Sequence, residues 1–302
     1  MILVFGSINI DLVTPVERLP GAGETVLGPD YAVHPGGKGA NQALAARRAG
    51  AAVTMVGATG RDGFGETALS LLAADGVDLA YVAQVDAPTG AAFIAIDSEG
   101  ANQIIVAAGA NAQASPDALK QITLGSEDIL LLQREVPEDG CLEAARLMKH
   151  AGGRVILNLA PAGAPAPALL DLVDILIVNE HEALVLAQSL GWPERDPDAI
   201  AQRLDAERGI IGIATLGAAG VVGWQSGVRR RLEAPRVTVV DTVAAGDSFT
   251  GAFAAALAAG YGLSGALQRG LAAGSLACTR AGAQPSIPRA EEIATLVGQS
   301  FL

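Results

Sequence analysis

Residues 128–160 read DILLLQREVPEDGCLEAARLMKHAGGRVILNLA. The runs at 128–133 (DILLLQ) and 154–160 (RVILNLA) are continuously apolar rather than alternating, as in strands buried on both faces of a parallel sheet. Between them, DGCLEAARLMKHAG has the look of a helix, so the stretch is a βαβ unit. The same rhythm extends in both directions. AAVTMVG (51–57), DILIVN (174–179) and GIIGIATLG (209–217) are further apolar runs, and ETALSLLAADG (66–76) and EHEALVLAQSLG (180–191) are helix-like. At the start of the chain, MILVFGSINIDLV opens apolar and then turns to Gly6, Ser7, Asn9 and Asp11, as expected of a buried strand whose carboxyl end reaches a site. From Asp241 onward the pattern is helical, and SIPRAEEIATLVG (286–298) provides a capped, proline-started final helix. The expected body is an α/β fold, a mostly parallel sheet covered by helices on both faces, in one domain over residues 1–302.

Two stretches break the rhythm. Residues 12–36 carry Pro15, Pro20 and glycine punctuation around GETVLGPDYAVHP, and residues 88–108 contain TGAAFIAID and NQIIVAAG, which alternate like antiparallel strands. Both are expected to leave the main sheet beside strand ends and form a small β lid over a ligand there.

Composition narrows the partners. A formal charge of −12 and a pI near 4.7 repel polyanions, so neither nucleic acid nor an anionic membrane is expected. Any phosphate must be held locally by backbone N–H groups, a few cations and metal ions. Arg229, Arg230 and Arg231 are the one basic run, and without interleaved aromatics they read as a solvated strand edge. Cys141 and Cys278 are far apart with no CxxC, which predicts inert core thiols and a reduced, cytoplasmic setting. His34, His150 and His181 have no spacing suited to zinc. The uncharged stretch 250–268 is long enough for a membrane span, but its Ala and Gly content predicts close packing inside the domain instead.

Two segments have the residues for phosphate chemistry. In HPGGKGANQALAARRAG (34–50), Gly36, Gly37 and Gly39 precede an Ala-rich helix, so backbone N–H groups and the positive helix end face outward. This is not a Walker A loop, because Gly follows Lys38 where Ser or Thr would be needed. A structural turn explains the glycines as well as a binding loop does; Lys38 and Asn41 favour binding. In VTVVDTVAAGDSFTGAFAAALAAG (237–260), an expected strand leads through Ala244, Ala245 and Gly246 to Asp247 and a helix. Small side chains there let a phosphoryl group approach the amides, although ordinary N-capping by Asp247 fits the same pattern. GDSFTG is not the GxSxG elbow of a serine hydrolase, and no glycine fingerprint follows the first strand, which excludes a nicotinamide dehydrogenase.

GGKGAN near the start and DTVAAGD near the end resemble the two signatures of the ribokinase-like, or PfkB, carbohydrate kinase family. Order and spacing agree over the whole chain, from GSINID (6–11) through VAAGANA (106–112) and LLLQREVP (130–137) to TRAGAQPSIP (279–288). The resemblance implies a three-layer α/β/α sandwich with a β lid and transfer of the γ-phosphoryl group of ATP to a sugar hydroxyl. The expected acceptor is O5 of ribose, with another sugar, a sugar acid or a nucleoside as the alternative. A sugar-binding protein without catalysis is disfavoured because Asp247, Gly246, Asn179 and Glu182 are all present.

By the same resemblance, Asp247 is the base and residues Ala244, Ala245, Gly246 and Asp247 form the anion hole. Asn9, Asp11, Gly37, Lys38, Gly39, Ala40, Asn41 and Glu135 hold the sugar. Turns, caps or a solvated loop would explain Asn9, Asp11 and Glu135 taken singly. Asn179 and Glu182, in NEHE, lie near Mg²⁺ and phosphate, although a capping pair has the same spacing. Thr215, Leu216, Gly217, Ala218, Ala219 and Gly220 match a nucleotide-binding turn, which as a bare pattern is only a hairpin turn. Leu271 stands near the adenine where relatives often have Asn. Asp241, Val243, Ala277, Arg280, Gly282 and Ser286 would surround K⁺, largely through carbonyls. Arg134 replaces an apolar residue beside Glu135. Pairing of lids in a homodimer is also expected.

Overall fold

Side chains alternate across a strand, and β1 (Ile2–Phe5) shows the consequence. In the computed structural model, which describes residues 1–301, Ile2 and Val4 enter one core cluster and Leu3 and Phe5 a second, all four fully buried. The chain continues through β2 (Asn9–Pro15), β3 (Ala32–Gly36), α1 (Lys38–Arg48), β4 (Val53–Gly60), α2 (Gly63–Ala74), β5 (Asp78–Val85), β6 (Gly90–Ile96) and β7 (Asn102–Ala107). The unit at 128–160 follows as β8 (Ile129–Leu132), α3 (Glu138–His150) and β9 (Arg154–Asn158). Then come α4 (Pro167–Leu170), β10 (Ile175–Asn179), α5 (Glu180–Ser189), α6 (Pro197–Arg208), β11 (Ile211–Thr215), β12 (Val221–Gln225) and β13 (Val228–Leu232). Three helices close the chain: α7 (Ala245–Ala258), α8 (Leu263–Ala277) and α9 (Ala290–Ser300).

Nine strands form the main sheet in the order β13-β12-β11-β10-β9-β8-β1-β4-β5. All neighbours from β11 to β5 are parallel; β12 and β13 add antiparallel pairings at one edge. One core cluster joins β1 to α1, α7 and α8, and the other joins it to α3, α5 and α6, so helices cover both faces. Four strands form a second sheet, β3-β2-β6-β7, in which β2 and β6 run parallel and the other pairs antiparallel.

Helices α1 and α7 pack closely. A Cβ on Gly251 would lie 2.5 Å from Ala45 Cβ and from the Gln42 carbonyl oxygen, so the crossing requires glycine at that point. Residues 250–268 are divided between α7 and α8, and no helix among the described residues is long and apolar enough to cross a membrane.

Some expectations need correction. The second sheet begins before residue 12: Gly6 to Ile8 carry the chain out of the main sheet, and β2 starts at Asn9. Residues 237–240, expected as a strand, form none; Val239 and Val240 are exposed, so their side chains lack the burial that makes such a run a strand. The edge strand β5 has no counterpart among the expected strands, because DLAYVAQV is only half-buried and lacks a continuous apolar run.

Candidate active site

Strand order reverses between β1 and β8, since the chain extends from β1 through β4 and β5 on one side and returns through β8 to β11 on the other. Loops diverge at such a point, and the crevice lies beyond the carboxyl ends of the strands. Ser7 follows β1, Gln133 and Glu135 follow β8, and Asn158, Asn179 and Thr215 end β9, β10 and β11. A cavity of about 220 Å³ is lined there by Lys38, Asn158, Asn179, Glu182, Thr215, Thr242 and residues 244–247, with Ala160 and Ile177.

Asp247 sits in the first turn of α7 but does not cap it: the helix has no side-chain cap, and Ala244 precedes it in the left-handed region at φ 59°. The capping explanation of Asp247 is thereby overturned. Its carboxylate faces α1, where Asn41 Nδ2 donates to Oδ2 (3.0 Å) and Gln42 Nε2 to Oδ1 (2.9 Å). The Ser248 amide bonds the Ala244 carbonyl and the Ala245 amide the Thr242 carbonyl, whereas the amides of Gly246 and Asp247 have no partner among the described residues. These two unpaired N–H groups at the positive end of α7 can grip an anion at the cavity wall.

Remote carboxylates converge on one cation. Burial opposes the charge of Lys38, but Asp247, Glu135, Glu182 and Asp11 outweigh it and hold the ammonium above its usual value. Asp11 is pushed up to about 6, first by burial and then by the charges of Glu135 and Asp247, with Lys38 opposing. Burial also raises Glu182. Asn179 and Glu182 form a complete capping box, Asn179 Oδ1 accepting from the Glu182 amide and Glu182 Oε2 from the Asn179 amide, both at 2.8 Å. The capping explanation is therefore right, yet both residues also line the cavity, each with one polar side-chain atom outside the box.

The GGKGAN loop behaves differently from expectation. Gly37 takes φ 89°, and its Cβ position falls 2.7 Å from the Asn9 amide nitrogen, so only glycine fits. The amides after it are not open. Lys38 N donates to Glu135 Oε2 (3.1 Å), Gly39 N to Ser7 Oγ (3.3 Å) and Ala40 N to the Ser7 carbonyl (2.9 Å), while Ser7 Oγ donates to Glu135 Oε2 (2.6 Å). The start of α1 is thus closed by protein groups, and of the two glycine-flanked helix starts α7 is the one that keeps free amides among the described residues. Asn9 and Glu135 line a second cavity of about 450 Å³ with Asn111, Arg134 and Val106. Asn9 Oδ1 accepts from Asn111 Nδ2 (2.6 Å), and Arg134 donates to the carbonyls of Pro161 (3.1 Å) and Ala164 (3.4 Å).

Of the expected nucleotide turn, Thr215 reaches the first cavity, Leu216 packs on the core, and Gly217, Ala218 and Ala219 form an exposed turn between β11 and β12. Gly220 has a structural reason to be glycine, since a Cβ would strike the Leu232 carbonyl. Leu271 is buried among core residues of α8 and is not on the cavity wall. The expected cation segments are stitched together: Asp241 accepts from the amides of Val243 (3.0 Å) and Gly282 (2.9 Å), and its own amide donates to the Cys278 carbonyl (3.3 Å). Ala277 ends α8, Ser286 Oγ donates to the Ala283 carbonyl (2.8 Å), and Arg280 pairs with Glu292. Cys141 is buried, with its thiol pushed up to about 12 by burial, and Cys278 is half-buried.

Four site residues escape the sequence reading: Gln42, Gln133, Asn158 and Asn111. Gln42 stands inside GGKGANQ and Asn158 at the end of an apolar run, and a polar residue at the close of a buried strand is the available signal.

The model of the pfkB family carbohydrate kinases matches residues 1–290. A ribokinase of Haemophilus influenzae is 38% identical over 96% of this chain and 95% of its own length. The crystal structure of a ribokinase from Thermotoga maritima superposes with a TM-score of 0.91 at 36% identity, covering 98% of this chain and 99% of that one. The Arabidopsis thaliana ribokinase complexed with ribose and ATP gives 0.88 at 34% identity, with 98% of each chain covered.

Proposed function

Since this chain belongs to the pfkB family of carbohydrate kinases, we propose that it transfers the γ-phosphoryl group of ATP to the O5 hydroxyl of ribose. The observation that carries the reading is Asp247, a carboxylate held by two amide donors in the same helical turn as two unpaired backbone N–H groups. Near-full-length similarity to ribokinases, one of them complexed with ribose and ATP, supports the choice of substrates.

Asp247 takes the proton of the attacking hydroxyl. In a loose phosphoryl-transfer transition state the nucleophile needs orientation and a late proton acceptor more than a strong base. The amides of Gly246 and Asp247, with the helix end and Ala244 and Ala245 as small neighbours, stabilise the transferring charge. Asn9, Asp11, Gly37, Lys38, Asn41 and Glu135 offer the mixed donors and acceptors that a polyhydroxylated ligand needs, with Gly39 and Ala40 as their scaffold. Asn179 and Glu182 present one carboxylate and one amide, hard donors that fit Mg²⁺ through its retained waters; the ion would neutralise phosphate charge. K⁺ would be held by backbone carbonyls of the segments at 243 and 277–286, which Asp241 ties together by accepting from the amides of Val243 and Gly282. Thr215 to Gly220 form the nucleotide edge of the site, and the chemistry belongs in a reducing cytoplasm.

The second sheet serves as a lid that excludes water over the sugar. On it Phe93, Ile104, Ile105 and Val106 are all about half exposed or more, and β7 is an edge strand. Exposed apolar edges of this kind are covered in stable proteins, here by the lid of a second copy. Ile105→Asp is expected to convert a dimer to monomers in size exclusion with light scattering; a monomeric parent would sink this pairing.

Asp11 gives a pH signature. As pH falls through about 6 its carboxylate takes up a proton and loses an acceptor for sugar hydroxyls, so kcat/KM for ribose drops on the acid side. Asp11→Asn should lower kcat/KM and remove that limb; a parent-like limb in the variant would reassign it. The overall test is an ATP-coupled assay across ribose, deoxyribose, fructose, ketodeoxygluconate and nucleosides, with and without K⁺. Ribose 5-phosphate is the expected main product, and a nucleoside strongly preferred over ribose would overturn the substrate.

A further inference from the structure

Behind Asp247 lies a run of buried side-chain amides. Gln133 and Gln42 are fully buried, and Asn158 and Asn41 nearly so. Gln133 Nε2 donates to Gln42 Oε1 (2.7 Å), and Gln42 Nε2 donates to both Asp247 Oδ1 (2.9 Å) and Asn158 Oδ1 (3.0 Å). Asn158 Nδ2 in turn donates to the Ile177 carbonyl (3.3 Å). The second oxygen of Asp247 takes the amide of Asn41.

The pattern has a direction. Because Gln133 donates to its oxygen, Gln42 must turn its NH₂ toward Asp247 and Asn158, and both hydrogens are used there. A flipped Gln42 would set its oxygen against two other oxygens and lose three hydrogen bonds at once. Gln42 is therefore a fixed donor to Asp247 Oδ1, and Asn41 Nδ2 completes the hold on Oδ2, while Asn41 Oδ1 is buried without a partner among the described residues.

We infer that Gln42, locked by Gln133, is a positioning residue that fixes the orientation of the catalytic carboxylate. This rests on Asp247 being the base. Charged groups around it come from every side of the site: Lys38 on α1, Asp11 on β2, Glu135 after β8 and Glu182 on α5. From α8, packed on α7, the only charged side chain is Arg269, and it lies over the ring of Tyr261. None of these groups donates a hydrogen bond to Asp247, so the amides alone set its direction.

The test is kcat, taken per folded site, and KM for the sugar at saturating ATP for the parent, Gln42→Met, Gln133→Leu and Asp247→Asn. Gln42→Met is expected to lower kcat about tenfold or more with KM for the sugar nearly unchanged, the size of one charge-assisted hydrogen bond and a split that loss of folded protein does not give. Gln133→Leu should lower kcat the same way by less, since Gln42 is then free to turn. A parent-like kcat in Gln42→Met, or a KM that rises as much as kcat falls, overturns the inference if Asp247→Asn has lost turnover. Turnover retained in Asp247→Asn would overturn the base assignment itself, and this inference with it.

Discussion

Asp247→Asn is expected to lower kcat by about 10²- to 10⁴-fold, the range general-base removal gives, while sugar affinity changes little. The amide is isosteric and can still accept from one of its two donors, so the site keeps its shape. What it loses is the capacity to take a proton. It also turns an N–H toward Asn41 or Gln42, both of which present N–H groups to Asp247. The unpaired amides of Gly246 and Asp247 survive the change, which is why a residual rate should remain. Single-turnover transfer from ATP with ribose measured against binding by calorimetry separates the two effects. A variant within a few-fold of the parent in kcat would mean that the proton leaves by another route.

Arg48→Met is expected to destabilise the fold by about 3–5 kcal/mol, the range for breaking a buried ion pair from one side. Arg48 and Asp75 are nearly buried, at 9% and 10% side-chain exposure, and Nε donates to Asp75 Oδ2 at 2.7 Å. One further nitrogen, Nη1, serves the carbonyls of Gln284 and Ile287, both at 2.8 Å. Methionine keeps the apolar stem but strands the Ile287 carbonyl, leaves the Gln284 carbonyl with only the Ile287 amide at 3.4 Å, and leaves Asp75 with Arg289, a more exposed partner. Arg48 thus joins the end of α1 to the end of α2 and to the loop before α9, at the opposite end of α1 from Asn41. Denaturant unfolding should thus show the loss while kcat of the folded fraction stays close to the parent value. A shift under about 1 kcal/mol would place this guanidinium with ordinary surface pairs.

Much of the fold is legible because a parallel sheet buried on both faces demands unbroken apolar runs, and those at 129–132, 155–157 and 175–178 stand where the strands are. The strand β5 and the expected strand at 237–240 depart from the sequence reading for one reason: half-buried or exposed segments carry no such demand. Residues of the site are legible where a motif isolates them, as with Lys38, Asn41 and Asp247. Gln42, Gln133 and Asn158 are not, because an amide side chain acts through partners more than 90 residues away in sequence.

The sequence by itself determined the layers, the strand directions and the two segments that bring small residues to helix starts, since period, burial and glycine geometry are local. Only the tertiary structure decided which helix start is open. Both α1 and α7 lack a side-chain cap, and either could face an anion. Folding sets Ser7 and Glu135 against the amides of α1 and, among the described residues, nothing against those of Gly246 and Asp247. Hydrogen-bond capacity at a helix end is a local property; whether it is already spent depends on groups the chain brings in from elsewhere.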